Sequence, residues 1–345
     1  MAEEVWMLQT KKADFKQIGA RFRIDPVTAR IIRNRGIEGE AAIDRYLNGT
    51  LDDLYDPMLL KDMERAVSIL CEAVDTGKKI RIVGDYDIDG VCSTYILLQA
   101  FERLGSDVDF EIPDRIKDGY GINESIIEQA HADGVEVILT CDNGISAFHQ
   151  VELAKKYGMT VVITDHHEVP LDGEKEKIPP ADAVIDPKQA DCPYPFPEIC
   201  GAVVAYKLVQ VLYARRGVPQ MEWLALLEFA AIATVGDVMK LQDENRILVK
   251  YGLKKMAQTK NLGLRRLAEK NNLDLGAITA YHIGFVIGPC LNAGGRLKTA
   301  KEALALLRAQ SEEEAERLAE ELKELNDTRK DMTEQGTEAA KLQVE

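Results

Sequence analysis

An alternation of strand and helix patterns constrains this chain more than any other feature. Short β-rich runs at 79–83, 108–112, 135–140, 160–163 and 183–185 are separated by helical patterns such as 93–104, 124–132 and 146–157. The runs are nearly continuously apolar, which suits strands covered on both faces, and parallel neighbours need a crossover that is normally a helix. The expectation is an α/β fold, a parallel β-sheet flanked by helices. Residues 1–75 read as a mostly helical N-terminal region, with patterned segments near 28–34, 39–47 and 62–75. A core follows over 76–308, with further helices at about 199–215, 221–235, 246–258 and 262–270. Over 309–345, Ser311 and Glu314 form a capping box, and Ala315, Leu318, Ala319, Leu322 and Leu325 recur at helical spacing. That segment reads as one long amphipathic connecting helix.

Composition narrows the function classes. The net charge of −15 argues against a nonspecific nucleic-acid coat protein. The charge is uneven, however, since twelve acidic and five basic side chains lie in 311–345. The acidic start Met1-Ala2-Glu3-Glu4 lacks a signal-peptide layout. The most apolar stretch, 221–239, carries Glu222, Glu228 and Asp237 and reads as a buried helix rather than a membrane span. Six cysteines form no CxxC pair. They read as reduced thiols of a cytoplasmic protein, not as a disulfide framework or a zinc site.

In open parallel sheets, ligands bind beyond the carboxyl ends of the strands. Gly84-Asp85-Tyr86-Asp87-Ile88-Asp89-Gly90 follows the first run and Pro113-Asp114-Arg115 the second. Asp142-Asn143-Gly144, Asp165-His166-His167 and Asp186-Pro187 follow the other three. One aspartate in such a place is usually a turn or cap residue, and one histidine usually structural. Five polar ends on one sheet edge are harder to dismiss. Clustered carboxylates repel one another and stay ionised together only beside cations. Carboxylate oxygen with imidazole nitrogen suits Mn²⁺ and tolerates Mg²⁺. Two such ions about 3.5–4 Å apart are the usual device for phosphoryl hydrolysis. Asp87 and Asp89 are expected in a loop whose Gly84 and Gly90 allow a tight backbone. A calcium loop is the competing reading of this run, but its twelfth position, Ile96 or Leu98, lacks the required Glu.

With Ala233-Thr234-Val235-Gly236-Asp237, the runs ending the first, third and fourth strands resemble the four motifs of the DHH phosphoesterases, in order. Pro113-Asp114-Arg115 to Gly119-Tyr120-Gly121 is similar to the RecJ branch. So are Asp191-Cys192-Pro193-Tyr194-Pro195 and Gly288-Pro289-Cys290-Leu291-Asn292-Ala293-Gly294-Gly295-Arg296-Leu297. The resemblance runs from about Trp6 to the terminal helix. It implies that Asp87, Asp89, Asp142, His166 and Asp237 hold two divalent cations, Mn²⁺ or Mg²⁺, with Asp142 bridging. Asp165 would orient His166, and His167 would contact metal or scissile phosphate. Asp85 stands between ligand and supporting residue. Arg115 and Arg296, with Asn292, would bind substrate phosphates, against a bland reading of the arginines as surface ion pairs. Asp186 reads as a turn former, and Tyr120 as base stacker or packing residue.

The activity implied is metal-assisted 5′-to-3′ hydrolysis of single-stranded DNA to mononucleotides, in DNA repair and recombination. Two departures stand out. Relatives often carry Arg at the position of Cys290 and Ala at Gly294. Relatives also continue past the long helix into a second domain with a glycine- and histidine-rich motif and usually an OB-type domain, neither of which is in this sequence. Two other readings stay open. One is a phosphoesterase for nano-oligonucleotides, cyclic dinucleotides or pyrophosphate; the other is a non-catalytic or incomplete DHH-fold scaffold.

Overall fold

The computed structural model describes Met7, residues 11–115, Gly119 and residues 121–344. It begins with three short helices, α1 (Phe15–Phe22), α2 (Pro26–Asn34) and α3 (Glu40–Asn48). They enclose a small core of their own around Ile32, Ile37 and Ile43. The first of them falls outside the expected segments. It has eight residues and is capped by Asp14, whose carboxylate accepts from Gln17 N. The next helix, α4 (Met63–Thr76), packs instead into the main core through Ala66, Val67 and Leu70.

The main body holds β1 (Ile80–Val83), α5 (Ile88–Arg103), β2 (Val108–Glu111), α6 (Glu124–Ala132), β3 (Val137–Cys141), α7 (Phe148–Lys156) and β4 (Thr160–Thr164). A two-residue ribbon, β5 (Leu171–Asp172) and β6 (Lys175–Glu176), precedes β7 (Ala183–Ile185). Five strands form one parallel sheet in the order β2-β1-β3-β4-β7. The chain steps outward from β1 to β2 and then returns past β1 to β3. The order therefore reverses between β1 and β3, and a crevice opens there at the strands' carboxyl ends.

Side chains on a strand alternate faces, and here both faces are cores. Ile80, Ile82, Val137, Leu139 and Val162 enter the larger core, while Val83, Ile138, Val161 and Ile163 enter a smaller one under α6 and α7. This is why β3, β4 and β7 lack polar alternation, whereas the half-buried edge strand β2, Val108-Asp109-Phe110-Glu111, keeps it. On the larger side α5 is buried almost all round, wrapped by α8 (Gly201–Arg215) and α10 (Leu227–Gly236). The apolar stretch at 221–239 is split by Leu226 into α9 (Gln220–Ala225) and α10. Among the described residues no helix is long and apolar enough to cross a membrane, and all six cysteines are free.

Beyond α11 (Asp243–Met256) and α12 (Leu262–Lys270), one turn, α13 (Ala280–His282), runs through a π-helical turn at Ile283–Ile287 into α14 (Gly288–Leu297). After α15 (Lys301–Arg308) comes the long helix, α16 (Glu312–Val344). Ser311 Oγ accepts from Glu314 N at 3.1 Å, but the Glu314 carboxylate takes Gln310 N rather than Ser311 N. The reciprocal half of the expected box is thus displaced by one residue. Ala315, Leu318, Ala319 and Leu322 are buried against α12, α14 and α15, while residues 331–343 are exposed all round.

Candidate metal centre

The crevice is built from strand ends and helix starts. Asp87 caps α5, its Oδ1 accepting from Asp89 N at 2.9 Å and Gly90 N at 3.1 Å. Asp89 therefore sits in the first helical turn and not in a loop, which corrects the expectation. A helix N-terminus favours carboxylates, so the polar run that looked like a loop is a helix start. Asp89 is fully buried and reaches across to a second helix start: Gly201 N donates to its Oδ2 and Ala202 N to its Oδ1, both at 2.7 Å. Sequence reasoning missed these two amides. The one signal for them is a glycine opening an apolar helix: a Cβ at Gly201 would lie 2.7 Å from that of Asp142. Gly90 likewise serves close approach rather than a turn, since its Cβ would lie 2.4 Å from the Asp85 carbonyl oxygen.

Asp142 follows β3 with φ of 61°, and Val238, just after Asp237, has φ of 58°. Left-handed backbone is unusual for Asp and an outlier for a β-branched residue. Such strain, about 1–3 kcal/mol per residue, concentrates at functional sites. Asn143 holds the strand ends together. Its Nδ2 donates to the carbonyls of Val83 (3.0 Å) and Cys141 (2.9 Å), and its Oδ1 accepts from Ile122 N. Asp85 accepts from Gly121 N at 3.3 Å.

Three sets of groups have ligand atoms within 4.8 Å of one another: Asp85, Asp87 and Asp142; Asp89, His166 and Asp237; and Asp142, His166 and His167. The Nε2 atom of His166 lies 3.1 Å from Asp142, 3.4 Å from Asp89 and 3.9 Å from Asp237. Asp165 behaves differently from the expectation. Its Oδ1 accepts from His166 N at 2.8 Å and contacts His167 Nδ1 at 2.7 Å, and its Oδ2 accepts from Ile145 N. It therefore fixes His166 through the backbone and orients the ring of His167. Asp186 forms its turn, accepting from Lys188 N at 2.8 Å.

The electrostatics follow from burial and crowding. Burial, then the Asp87 charge, pushes Asp85 up to about 7. Burial, then Asp89 and Asp87, does the same to Asp237. Asp87 is raised by burial and Asp89, and Asp142 is raised well above the carboxylate range by burial, Asp89 and Asp87. Burial lowers His166 and keeps it neutral, as a nitrogen ligand must be. His167 goes the other way: burial opposes its charge, but the Asp165 hydrogen bond and charge lift it to about 9. Aspartates crowded and held against full ionisation, with an uncharged imidazole among them, form an oxygen-rich donor set suited to Mn²⁺ or Mg²⁺.

Beside this cluster lies a cavity of about 290 Å³ lined by Asp87, Asp237, Arg115, Asn292 and Arg296, among others. The expected phosphate-binding residues thus come together, although they stand far apart in sequence. The Arg115 guanidinium sits 5.1 Å from the Tyr86 ring centroid. Both arginines line this cavity while remaining exposed. Tyr120 lies outside the described residues. Cys290 points away, buried between Asn271 and Asn326.

A parallel sheet with carboxylates and imidazoles gathered at its β1–β3 switch point defines an α/β scaffold with a candidate divalent-cation centre, and the comparisons place that scaffold in a family. The model of the DHH family, N-terminal domain, matches residues 79–234. The single-stranded-DNA-specific exonuclease RecJ of Bacillus subtilis is 37% identical over 341 residues, 99% of this chain and 42% of that protein. A crystal structure of exonuclease RecJ bound to manganese aligns with a TM-score of 0.72 at 35% identity, covering 80% of this chain and 68% of the other. RecJ from Thermus thermophilus in complex with Mn²⁺ aligns with a TM-score of 0.77 at 32% identity, covering 93% and 44%. The chain belongs to the DHH family, in its RecJ branch. It spans about half the length of the curated relatives it matches.

Proposed function

We propose that the crevice is a two-cation phosphodiesterase centre that hydrolyses single-stranded DNA from the 5′ end and releases mononucleotides. The observation that carries this reading is the position of Asp142, shared between one set of carboxylates and one set of imidazoles. A carboxylate has two oxygens, so one common to two sets would be able to serve two ions. His166, also common to two sets, turns only Nε2 to the aspartates and would serve one. Asp87 and Asp85 would hold one ion; Asp89, His166 and Asp237 would hold the other. Bound Mn²⁺ or Mg²⁺ supplies Lewis acidity, making water a nucleophile at neutral pH and neutralising charge that develops on phosphorus oxygens.

The remaining residues bind and orient. The amides of Gly201 and Ala202 fix both oxygens of Asp89, so that carboxylate cannot swing when substrate enters. His167, kept cationic by Asp165, presents positive charge to a non-bridging phosphate oxygen. Arg115, Arg296 and Asn292 line the adjoining cavity and grip the backbone, where the guanidinium fork suits phosphate. The catalytic unit is the core at 76–308, and α16 packs on its last helices. The RecJ relatives are named for single-stranded DNA, which supports the substrate class.

A second reading has its own support: the cavity beside the metals is about 290 Å³, near the lower limit of roughly 300–1,000 Å³ for small-ligand sites. The test gives the chain 5′-labelled single-stranded DNA of about twenty nucleotides, or a dinucleotide, in Mn²⁺, with EDTA and Asp142→Ala controls. Release of labelled mononucleotide from the long strand, abolished by both controls, is expected. Cleavage of the dinucleotide alone selects the second reading.

A further inference from the structure

The cavity beside the metals does not end at Arg296. A second cavity of about 170 Å³ shares Gly236, Asn292 and Arg296 with it and continues away from the aspartates. Gly284 of the π-helical turn and Gly288 at the start of α14 line it. Its far wall is Arg329 of α16. Arg329 is held in place: Nε and Nη2 donate to Asn326 Oδ1 at 3.3 and 3.1 Å. Asn326 is itself buried and donates to Cys290 Sγ at 3.6 Å. Neither Arg296 nor Arg329 has a carboxylate partner among the described residues. On the same helical run, Phe285 follows Gly284 directly and Tyr281 precedes it by three residues; they stand 68% and 64% exposed. Their rings stack with centroids 4.8 Å apart and planes at 29°.

We propose that this second cavity and the Tyr281–Phe285 pair form a subsite for nucleotides of the single strand beyond the one being cleaved. The cavity is smaller than the roughly 300–1,000 Å³ of pockets that enclose a whole small ligand. It takes the sugar–phosphate backbone, gripped between Arg296 and Arg329, and leaves the base outside to stack on Phe285 and Tyr281. Cationic grooves edged by aromatic rings are how single strands are bound without sequence preference, because every base has a π-face. The shared lining residues make the track continuous with the scissile position. The placement also gives Cys290 a role, since it seats Asn326 and Asn326 seats Arg329.

This subsite rests on the reading of the crevice as a single-strand nuclease, so the experiment separates the two. A strand of about twenty nucleotides, with phosphorothioate linkages at its 5′ end to slow turnover, carries 2-aminopurine at successive positions. Its fluorescence is read on binding in Mn²⁺, and KM is measured separately on an unmodified strand and on a dinucleotide. The wild type is expected to quench 2-aminopurine at one or two internal positions. Tyr281→Ala/Phe285→Ala should abolish that quenching and raise KM for the strand at least about fivefold, since each stacked base contributes that much or more. Dinucleotide kinetics should stay unchanged. Arg329→Ala should lower the slope of log affinity against log salt by about 0.7, as for one lost phosphate contact on a single strand. Quenching without cleavage of any substrate would keep the subsite and overturn the nuclease reading. Cleavage of the strand by both variants with wild-type KM and wild-type fluorescence would overturn the subsite, and would assign the exposed rings to a protein surface instead.

Discussion

Among the described residues, two of the clusters of buried charge are built on opposite plans. At the crevice, Asp85, Asp87, Asp89, Asp142 and Asp237 converge on His166 and His167. On the far side of α8, Lys207 and Glu244 are buried as a pair with Nζ and Oε2 3.0 Å apart. Tyr194 donates to the other Glu244 oxygen, and Lys207 also donates to the Tyr55 carbonyl at 3.2 Å. The second cluster is neutral and closed, and its groups answer one another. The first carries a surplus of acid that burial and like charge hold back from ionising. A closed cluster ties elements together, here α8, α11, the 191–195 stretch and the segment before α4. An open one is a site.

The largest effect expected is on the open cluster. Asp142→Ala removes the group shared by two ligand sets, and turnover should fall by far more than the roughly 10- to 100-fold typical of losing a supporting residue around a metal. Calorimetric titration should show Mn²⁺ binding lost at both positions. A variant that keeps one ion at full affinity would break the assignment of Asp142 as the bridge. Next comes the closed cluster. Lys207→Met takes from buried Glu244 its cation and leaves it only the Tyr194 hydroxyl, and should reduce stability by about 3–5 kcal/mol in urea unfolding. The surviving folded fraction should keep wild-type Mn²⁺ affinity.

The two plans also differ in their response to pH. Asp85 and Asp237 rise to about 7 in the fold from 3.8, and Asp87 and Asp142 rise too. Between about pH 4 and 7 the metal-free folded protein therefore holds protons that the unfolded chain has lost, and stability falls as pH rises through that window. His167, at about 9, contributes stability that is complete below about pH 6.5 and is lost as pH rises through 9, in the same direction. The melting temperature in EDTA should drop by roughly 5 °C or more from pH 5 to pH 8. Mn²⁺, which binds the ionised carboxylates, should remove the drop. A metal-free melting temperature that rises with pH would contradict the crowding described here.

The sequence made the open cluster legible and the closed one almost invisible, for a physical reason. Strands covered on both faces announce themselves as apolar runs, and a site at their carboxyl ends must interrupt them with aspartate and histidine, as Asp142 and His166 do. Helix starts announce themselves less well. The Asp87–Gly90 run reads as a loop because caps and loops share the same residues. The amides of Gly201 and Ala202, being backbone, leave no trace beyond a glycine. Lys207 sits among Tyr206 and Leu208 as any snorkelling lysine would, and its partner lies in a helix that begins three residues earlier than its pattern suggests. Pairing across such distances is tertiary information. So is the support of His167, and not of the His166 ring, by Asp165: two adjacent imidazoles offer the same letter.

A smaller effect belongs to the mouth of the open cluster. Arg296→Ala should raise KM for single-stranded DNA about tenfold or somewhat more, the loss of a charge-assisted hydrogen bond, with Mn²⁺ stoichiometry unchanged. Loss of metal in that variant would mean that Arg296 supports the aspartates and does not bind substrate.

The smallest effect is the sharpest test of the contrast. Replacing every member of the closed cluster at once, as Lys207→Met/Glu244→Leu/Tyr194→Phe, removes a donor and an acceptor together. It leaves no buried group unanswered except the Tyr55 carbonyl, whose residue is only partly buried. Buried ion pairs exchanged for apolar side chains of similar volume are commonly neutral or stabilising. The triple variant should therefore unfold within about 1 kcal/mol of wild type, although Lys207→Met alone loses several times that. The same operation cannot be neutral at the crevice. Changing Asp142 and Asp237 to asparagine relieves like-charge repulsion and should raise the stability of the metal-free protein, while ending the gain that Mn²⁺ gives the wild type. If the triple variant were as unstable as the single one, the pair would be contributing net energy rather than fixing which elements meet, and the distinction between a closed structural cluster and an open functional one would have to be redrawn on energy instead of charge balance.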